Sequence, residues 1–209
     1  MTLAGLYAIT PDDYLLPRLS ALVQMALDGG ATLVQYRNKT APPPLRRAQA
    51  AELLRICRSV GARLIVNDDV WLAIEIGADG AHLGRDDAPG ESLRAAREAL
   101  GAQRILGVSC YNEMDRAEAA AAAGADYLAF GSVFASRTKP SAVRAPLLLM
   151  TEAKQRFGLP VAAIGGITLD NAPDVLAAGA DLLAVSSDLF DTMDIRARAA
   201  AYDDLFNSR

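Results

Sequence analysis

Gln35, Arg37 and Lys39 stand at alternate positions just after an apolar run, Thr32-Leu33-Val34. Successive strand side chains point to opposite faces, so an extended chain sends all three to one side and gathers two cations and an amide at one strand end. Burying unpaired charge is expensive, which leaves open solvent or an anionic ligand as what that end faces. Other apolar runs end in similar company. Asn67, Asp68 and Asp69 follow one, and Arg85, Asp86 and Asp87 follow His82-Leu83-Gly84. Ser109 closes Gly107-Val108-Ser109, Arg137 and Lys139 lie in the stretch after Gly131, and Gly165-Gly166 and Ser186-Ser187 follow the last two runs. If the fold brings these ends together, both signs of charge meet in one pocket.

Positioning them requires a regular scaffold, and the chain alternates short apolar runs with segments of helical periodicity from start to finish. That pattern means βα units and a parallel sheet. Strands are expected over 5–9, 32–35, 63–66, 80–83, 104–108, 127–130, 161–164 and 182–185, and helices over 15–27, 44–59, 70–76, 89–100, 113–123, 146–157, 169–177 and 195–206. One corner recurs before four of the strands: Gly30-Ala31-Thr32, Gly77-Ala78-Asp79, Gly124-Ala125-Asp126 and Gly179-Ala180-Asp181. Its glycine suits a left-handed helix end, and a repeated corner implies a repeated unit. Periodicity alone also allows a doubly wound sheet. Eight units, and no G-x-G-x-x-G after the first strand, favour an α/β fold of the (β/α)8 TIM-barrel kind, with residues 1–209 as a single domain.

The 209 residues are 52% hydrophobic and 22% charged, with a net charge of −4. A basic face for nucleic acid or an anionic membrane surface is therefore not expected, and any anion must be held by a few placed cations. Arginine dominates, and lysine occurs only as Lys39, Lys139 and Lys154. Cys57 and Cys110 have no metal or redox spacing and read as reduced thiols of a cytoplasmic protein. No signal peptide or membrane span is expected. The partners are small-molecule substrates, and the sequence leaves a homo-oligomer open.

In a (β/α)8 barrel the C-terminal strand ends and the loops after them carry the chemistry. Asp68 and Asp87, on neighbouring strand ends, supply hard oxygen ligands, and Mg2+ typically binds one or two carboxylates with substrate phosphate and water. A plain salt-bridge network among the same charges is the alternative. Gly165-Gly166 before a helix start at Thr168, completed by Ser186 and Ser187, has the character of a backbone-amide phosphate site. The pocket would thus hold a diphosphate near metal, Arg37, Lys39 and Lys139, and a monophosphate at the opposite wall. His82, the only histidine, is expected to be packed rather than catalytic. Phe130 and Phe134 read as packing, and Trp71 as a buried position on a helix.

Taken in order, Gln35-Tyr36-Arg37-Asn38-Lys39, Asn67-Asp68, His82-Leu83-Gly84 with Asp86-Asp87, Gly107-Val108-Ser109, Gly131 with Phe134 and Ser136-Arg137-Thr138-Lys139, Ile164-Gly165-Gly166-Ile167, and Val185-Ser186-Ser187 resemble the motifs of the thiamine phosphate synthase family over nearly the whole chain. The resemblance implies a barrel that joins a hydroxymethylpyrimidine diphosphate to a thiazole phosphate with release of pyrophosphate. It implies that Gln35, Tyr36, Arg37, Asn38, Lys39, Asn67, Ser109 and Lys139 contact the pyrimidine and its diphosphate, with Arg37, Lys39, Ser109 and Lys139 as the catalytic set. Asp68 and Asp87 would hold Mg2+, and Ser136, Arg137, Thr138, Gly166, Ser186 and Ser187 the thiazole phosphate. A loop over 135–140 would close on the site.

The chain departs from the family pattern at Arg85, usually glutamine, Ser132, usually proline, Ser136, usually threonine, and Asp188, usually small. Arg85 adds a cation beside the metal aspartates. Asp188 is expected to point away from the phosphate, as the start of the last helix. A related thiazole tautomerase uses a histidine soon after Gly-Val-Ser, where this chain has Tyr111. A non-catalytic phosphate binder would keep the pocket without turnover, and an amino-acid-pathway isomerase would need an acid/base pair at the strand ends.

Overall fold

In the computed structural model eight parallel strands close into a barrel in chain order, with β8 paired back onto β1. The structure describes residues 3–85, 87, 92–135 and 143–208. The strands are β1 (Gly5–Ile9), β2 (Leu33–Tyr36), β3 (Arg63–Asn67), β4 (Gly80–Leu83), β5 (Ile105–Tyr111), β6 (Tyr127–Gly131), β7 (Val161–Ile164) and β8 (Leu182–Val185). Around them lie α1 (Leu16–Asp28), α2 (Pro43–Ser59), α3 (Val70–Ile76), α4 (Leu93–Leu100), α5 (Met114–Ala122), α6 (Leu148–Phe157), α7 (Ala172–Ala177), α8 (Ser187–Phe190) and α9 (Ile195–Asn207).

The barrel expectation holds, and the departures from it are local. β5 runs on to Tyr111 through a register irregularity between Ser109 and Tyr111. The expected start of the fourth helix at 89 lies outside the described residues. The seventh helix begins at Ala172 rather than 169. Asn171 turns its side chain back, donating to the Gly166 carbonyl and accepting from the Thr168 N–H, so 168–171 is a turn. The four-residue α8 was not foreseen, because one helical turn is too short to show a 3.6-residue period. Trp71 is a correction: α3 buries Val70, Leu72 and Ala73, and Trp71 falls on its outer side, 64% exposed. Among the described residues no helix is long and apolar enough to cross a membrane.

Strand alternation divides the apolar residues between two cores. In β1, Leu6 and Ala8 face the helices while Tyr7 and Ile9 face the barrel interior. The interior is filled by few large side chains, chiefly Tyr7, Leu33, Ile65, Tyr127 and Leu182, beside the small Ala129, Ala162 and Ala184. The Tyr127 ring crosses this space against Gly107, where a Cβ would come within 2.0 Å of the ring. Cys57 and Cys110 are buried and unpaired, and burial pushes both thiols up to about 12, so neither is a nucleophile near neutral pH.

The repeated corner does more than turn the chain. Its four glycines all have positive φ, between 74° and 101°, and the residue two places later clasps the preceding strand. Asp79 donates its N–H to the Leu64 carbonyl and accepts the Leu64 N–H on Oδ2 at 2.8 Å. Asp126 makes the same pair of bonds with Leu106, and Asp181 with Val161. Thr32, in the first copy, instead donates its hydroxyl to the Ala4 carbonyl. Each carboxylate supplies an acceptor to a strand N–H that would otherwise lack one. Leaving a buried N–H unpaired costs about 1–3 kcal/mol. Asp126→Ala should lower unfolding stability in urea by that amount, and Asp126→Asn, which keeps an acceptor, by clearly less.

Candidate active site

The β2 end is shaped by its neighbours. The Thr10 hydroxyl both donates to the Arg37 carbonyl and accepts the Arg37 N–H, at 3.0 and 2.9 Å. Gln35 points into the barrel and is 3% exposed. Arg37 reaches Asp12 at 3.5 Å, and Lys39, half exposed, lies 3.0 Å from Asp68. Tyr36 and Asn38 take the opposite side. The Tyr36 hydroxyl donates to Gln49 of α2. The Asn38 amide donates to the Asp13 carbonyl and to Gln49, and its oxygen accepts from Thr40 and Ala41. Both are buried, at 2% and 5% exposure. They anchor the loop that presents Arg37 and Lys39, which corrects the expectation that the whole stretch 35–39 faces a ligand.

At the β3 and β4 ends, Asp68 adopts a left-handed backbone, φ 63°, and its N–H donates to the His82 carbonyl. This kink places its carboxylate beside Asp87 and Lys39. Asp87 accepts the Gly84 N–H at 3.1 Å. Burial, and then the hydrogen bond and negative charge of Asp68, push the Asp87 carboxyl above its ordinary range, against the pull of Lys39 and Gly84. Two carboxylates crowded at the cost of ionisation are the donor set a hard divalent cation relieves. Among the described residues no third Asp, Glu, His or Cys joins them, so a cation here would take its remaining ligands from substrate and water. Asn67 sits half-buried at the end of β3, in register with His82. Arg85 turns aside: its guanidinium bonds Glu113 at 2.6 Å and lies over the Tyr111 ring.

Below these charges a chain of hydrogen bonds crosses the barrel. Gln35 Nε2 donates to Tyr7 Oη at 2.7 Å, Tyr7 Oη meets Tyr127 Oη at 2.7 Å, and Tyr127 Oη meets His82 Nδ1 at 2.8 Å. His82 Nε2 then meets Ser109 Oγ at 2.8 Å. His82 is thus buried as expected but fully engaged, and Ser109 stands half-buried at its far end. Arg116 of α5 ties the β4 and β5 ends together, donating to the Ser109 and Gly84 carbonyls at 2.6 and 2.7 Å. Tyr7, Tyr127 and Arg116 were not singled out from the sequence. The available signal was that Tyr7 and Tyr127 fall on inward strand positions, where a phenol needs a polar partner.

On the far wall, Val133 and Phe134 donate their N–H groups to the Ile164 and Gly165 carbonyls, strapping the β6 loop onto the β7 end. Ser132 Oγ donates to the Phe134 carbonyl. Gly165 and Gly166 lie so close to this loop that a Cβ would meet Ser132 Oγ at 2.1 Å or the Ala135 carbonyl at 2.4 Å. Ser136, Arg137, Thr138 and Lys139, and with them the expected closing loop, lie outside the described residues. Ser186 and Ser187 are half-buried where β8 passes into α8. The helix start expected at Thr168 is corrected, since that residue lies in the turn before α7; α8 begins at Ser187, after the strand that pairs with β7. Asp188 does point away: it accepts from Tyr202 at 2.7 Å and Arg198 at 3.2 Å of α9, though it belongs to α8 and not to the last helix.

Eight βα units closed into a barrel, with cations and carboxylates gathered at the C-terminal strand ends, define the class: a (β/α)8 enzyme equipped for anionic substrates. The family model described as thiamine monophosphate synthase matches residues 6–189. The thiamine-phosphate synthase of Aromatoleum aromaticum is 56% identical over 206 residues, covering 99% of this chain and 98% of that protein. That of Nitrosococcus oceani is 52% identical over 209 residues, covering 99% and 94%. The solved thiamine phosphate pyrophosphorylase of Pyrococcus furiosus superposes with a TM-score of 0.87 at 34% identity, over 98% of this chain and 96% of that one. The chain belongs to the thiamine monophosphate synthase family.

The division of labour in 35–39 is testable by stability. Asn38→Ala strips a buried hub of its bonds and should destabilise by about 2–4 kcal/mol. Lys39→Ala removes one half-exposed ion pair and should stay within about 1 kcal/mol of the parent in the same urea titration.

Proposed function

We propose that this chain is a thiamine phosphate synthase acting in the cytoplasm. It joins 4-amino-2-methyl-5-(diphosphooxymethyl)pyrimidine to 4-methyl-5-(2-phosphooxyethyl)thiazole with release of pyrophosphate, or to the thiazole's carboxylate with release of pyrophosphate and carbon dioxide, a proton from water taking the place of the carboxylate on the ring. The observation that carries this reading is the crowded carboxylate pair Asp68 and Asp87 with Lys39 3.0 Å from Asp68, in a chain that matches synthases end to end.

Each group then has a task. Arg37 and Lys39, joined by Lys139 as the resemblance implies, attract the diphosphate and stabilise it as it leaves. Asp68 and Asp87 would hold Mg2+, which when bound supplies positive charge to the departing pyrophosphate. Gln35, Asn67 and Ser109 orient the pyrimidine, whose electron-rich amino ring stabilises the methyl cation left behind. The thiazole nitrogen attacks with its own lone pair, so no general base is required. That suits a pocket whose one histidine is committed to Tyr127 and Ser109. Gly166, Ser186 and Ser187, with Ser136, Arg137 and Thr138 by resemblance, receive the thiazole phosphate. The tautomerase reading lacks its histidine; Tyr111 stands there, with the guanidinium groups of Arg85 and Arg116 each over its ring.

Purified protein given both substrates should release pyrophosphate and form thiamine phosphate only with Mg2+, and Asp87→Ala should reduce the rate by at least about 100-fold. Binding of both substrates with no product would assign the chain to a non-catalytic binder. Because Glu113 and Tyr111 hold Arg85, Arg85→Gln should leave kcat/KM within about threefold of the parent, a change of under ~1 kcal/mol in transition-state stabilisation.

A further inference from the structure

The bonds crossing the barrel can be ordered by where each proton must go. Tyr7 and Tyr127 are 1% and 0% exposed, and burial holds both phenols far above their ordinary range, so both keep their protons. Tyr7 Oη accepts from Gln35 Nε2. Among the described residues the acceptor within reach of its own proton is Tyr127 Oη at 2.7 Å, and a buried hydroxyl left without an acceptor is costly. Tyr127, having accepted, must donate to His82 Nδ1. His82 therefore carries its proton on Nε2 and donates it to Ser109 Oγ. Among the described residues nothing takes up the serine hydroxyl proton or the Gln35 carbonyl oxygen, which leaves both for a ligand.

We propose that Tyr7, Tyr127 and His82 are positioning residues that fix this proton order, so that Gln35 presents an acceptor and Ser109 a donor to the edge of an aminopyrimidine. The assignment deepens the reading given under Proposed function and rests on it for the identity of the ligand. Because the five groups form one chain, their ends are coupled: reversing one bond reverses all, and the ends always show one donor and one acceptor. A ring nitrogen beside a C–NH2 group offers the matching acceptor and donor. The corresponding oxo-pyrimidine, with ring N–H and C=O, offers the reverse and meets mismatched groups at both ends. Discrimination between amino and oxo rings thus resides in phenols that never touch the substrate.

The chain has one histidine, so tag-free protein labelled with 15N-histidine reports the order directly in long-range 1H–15N spectra, without ligand or turnover. The expected result is a single Nε2–H tautomer. Tyr7→Phe should keep it, since Tyr127 still donates to Nδ1, whereas Tyr127→Phe should lose the single-tautomer signature. An Nδ1–H tautomer or an imidazolium in the parent protein near neutral pH would overturn the proposal. A second measurement is the binding of the aminopyrimidine diphosphate against its oxo analogue. The parent should prefer the amino form by at least about 100-fold, and Tyr127→Phe should narrow that preference at least about tenfold. A loss shared equally by both ligands would mark Tyr127 as mere packing and sink the idea. Were Tyr127→Phe to misfold, the parent and Tyr7→Phe spectra still decide. Failure to make thiamine phosphate with the tautomer as expected would remove the functional reading and leave the proton order standing.

Discussion

Two phenols at the centre of a closed barrel must each find an acceptor away from water, and that requirement reaches from the core to the floor of the pocket. The interior is too narrow for more than a few large side chains, and Tyr7 and Tyr127 fill it where Gly107, Ala129 and Ala162 leave room. Their hydroxyls cannot be stranded in a low dielectric. The groups that satisfy them, Gln35 and His82, lie nearer the strand ends, and His82 passes the demand on to Ser109. The bonds that make the core tolerable are therefore the bonds that orient the floor, so stability and recognition share residues here.

Above that floor the governing term is electrostatic. Asp68, kinked into a left-handed backbone, and Asp87 are held close enough to raise the acidity cost of the second carboxylate, with Lys39 alone among the described cations in an ion pair with Asp68. The cation foreseen as an intruder, Arg85, is drawn off by Glu113 and the Tyr111 face. Asp188, the anion foreseen as repelling phosphate, is likewise taken up by Arg198 and Tyr202. Both departures from the family pattern are taken up by neighbouring side chains, Arg85 by those at the end of β5 and the start of α5 and Asp188 by those on α9, without altering the charges that face inward.

The barrel was legible because apolar runs and helical periodicity alternate without a break, and strand bounds missed mostly at the ends, where Tyr36, Asn67 and Tyr111 are polar or amphipathic. The strand-end charges were legible because alternation and the address at the C-terminal face both pointed to them. What stayed hidden shares a cause: it depends on partners distant in sequence. A tyrosine inside an apolar strand reads as packing until the other phenol 120 residues away is placed against it. Arg116 in an alanine-rich helix reads as solvated until the Ser109 and Gly84 carbonyls arrive. Tyr36 and Asn38 sit within a ligand motif yet serve Gln49, a distinction only the direction of each side chain reveals.

The aspartate clasps have a grouping of their own. Asp79 joins β4 to β3, Asp126 joins β6 to β5, Asp181 joins β8 to β7, and Thr32 makes the weaker counterpart between β2 and β1. Every clasp lies within an odd–even pair, and none of these four crosses from one pair to the next. The barrel is thus four β-α-β quarters, each carrying its own fastening on the face opposite the pocket. Breaks in the connections through α2, α4 or α6 would leave each fastening inside one fragment, which makes those three joints the natural places to split, permute or splice the chain.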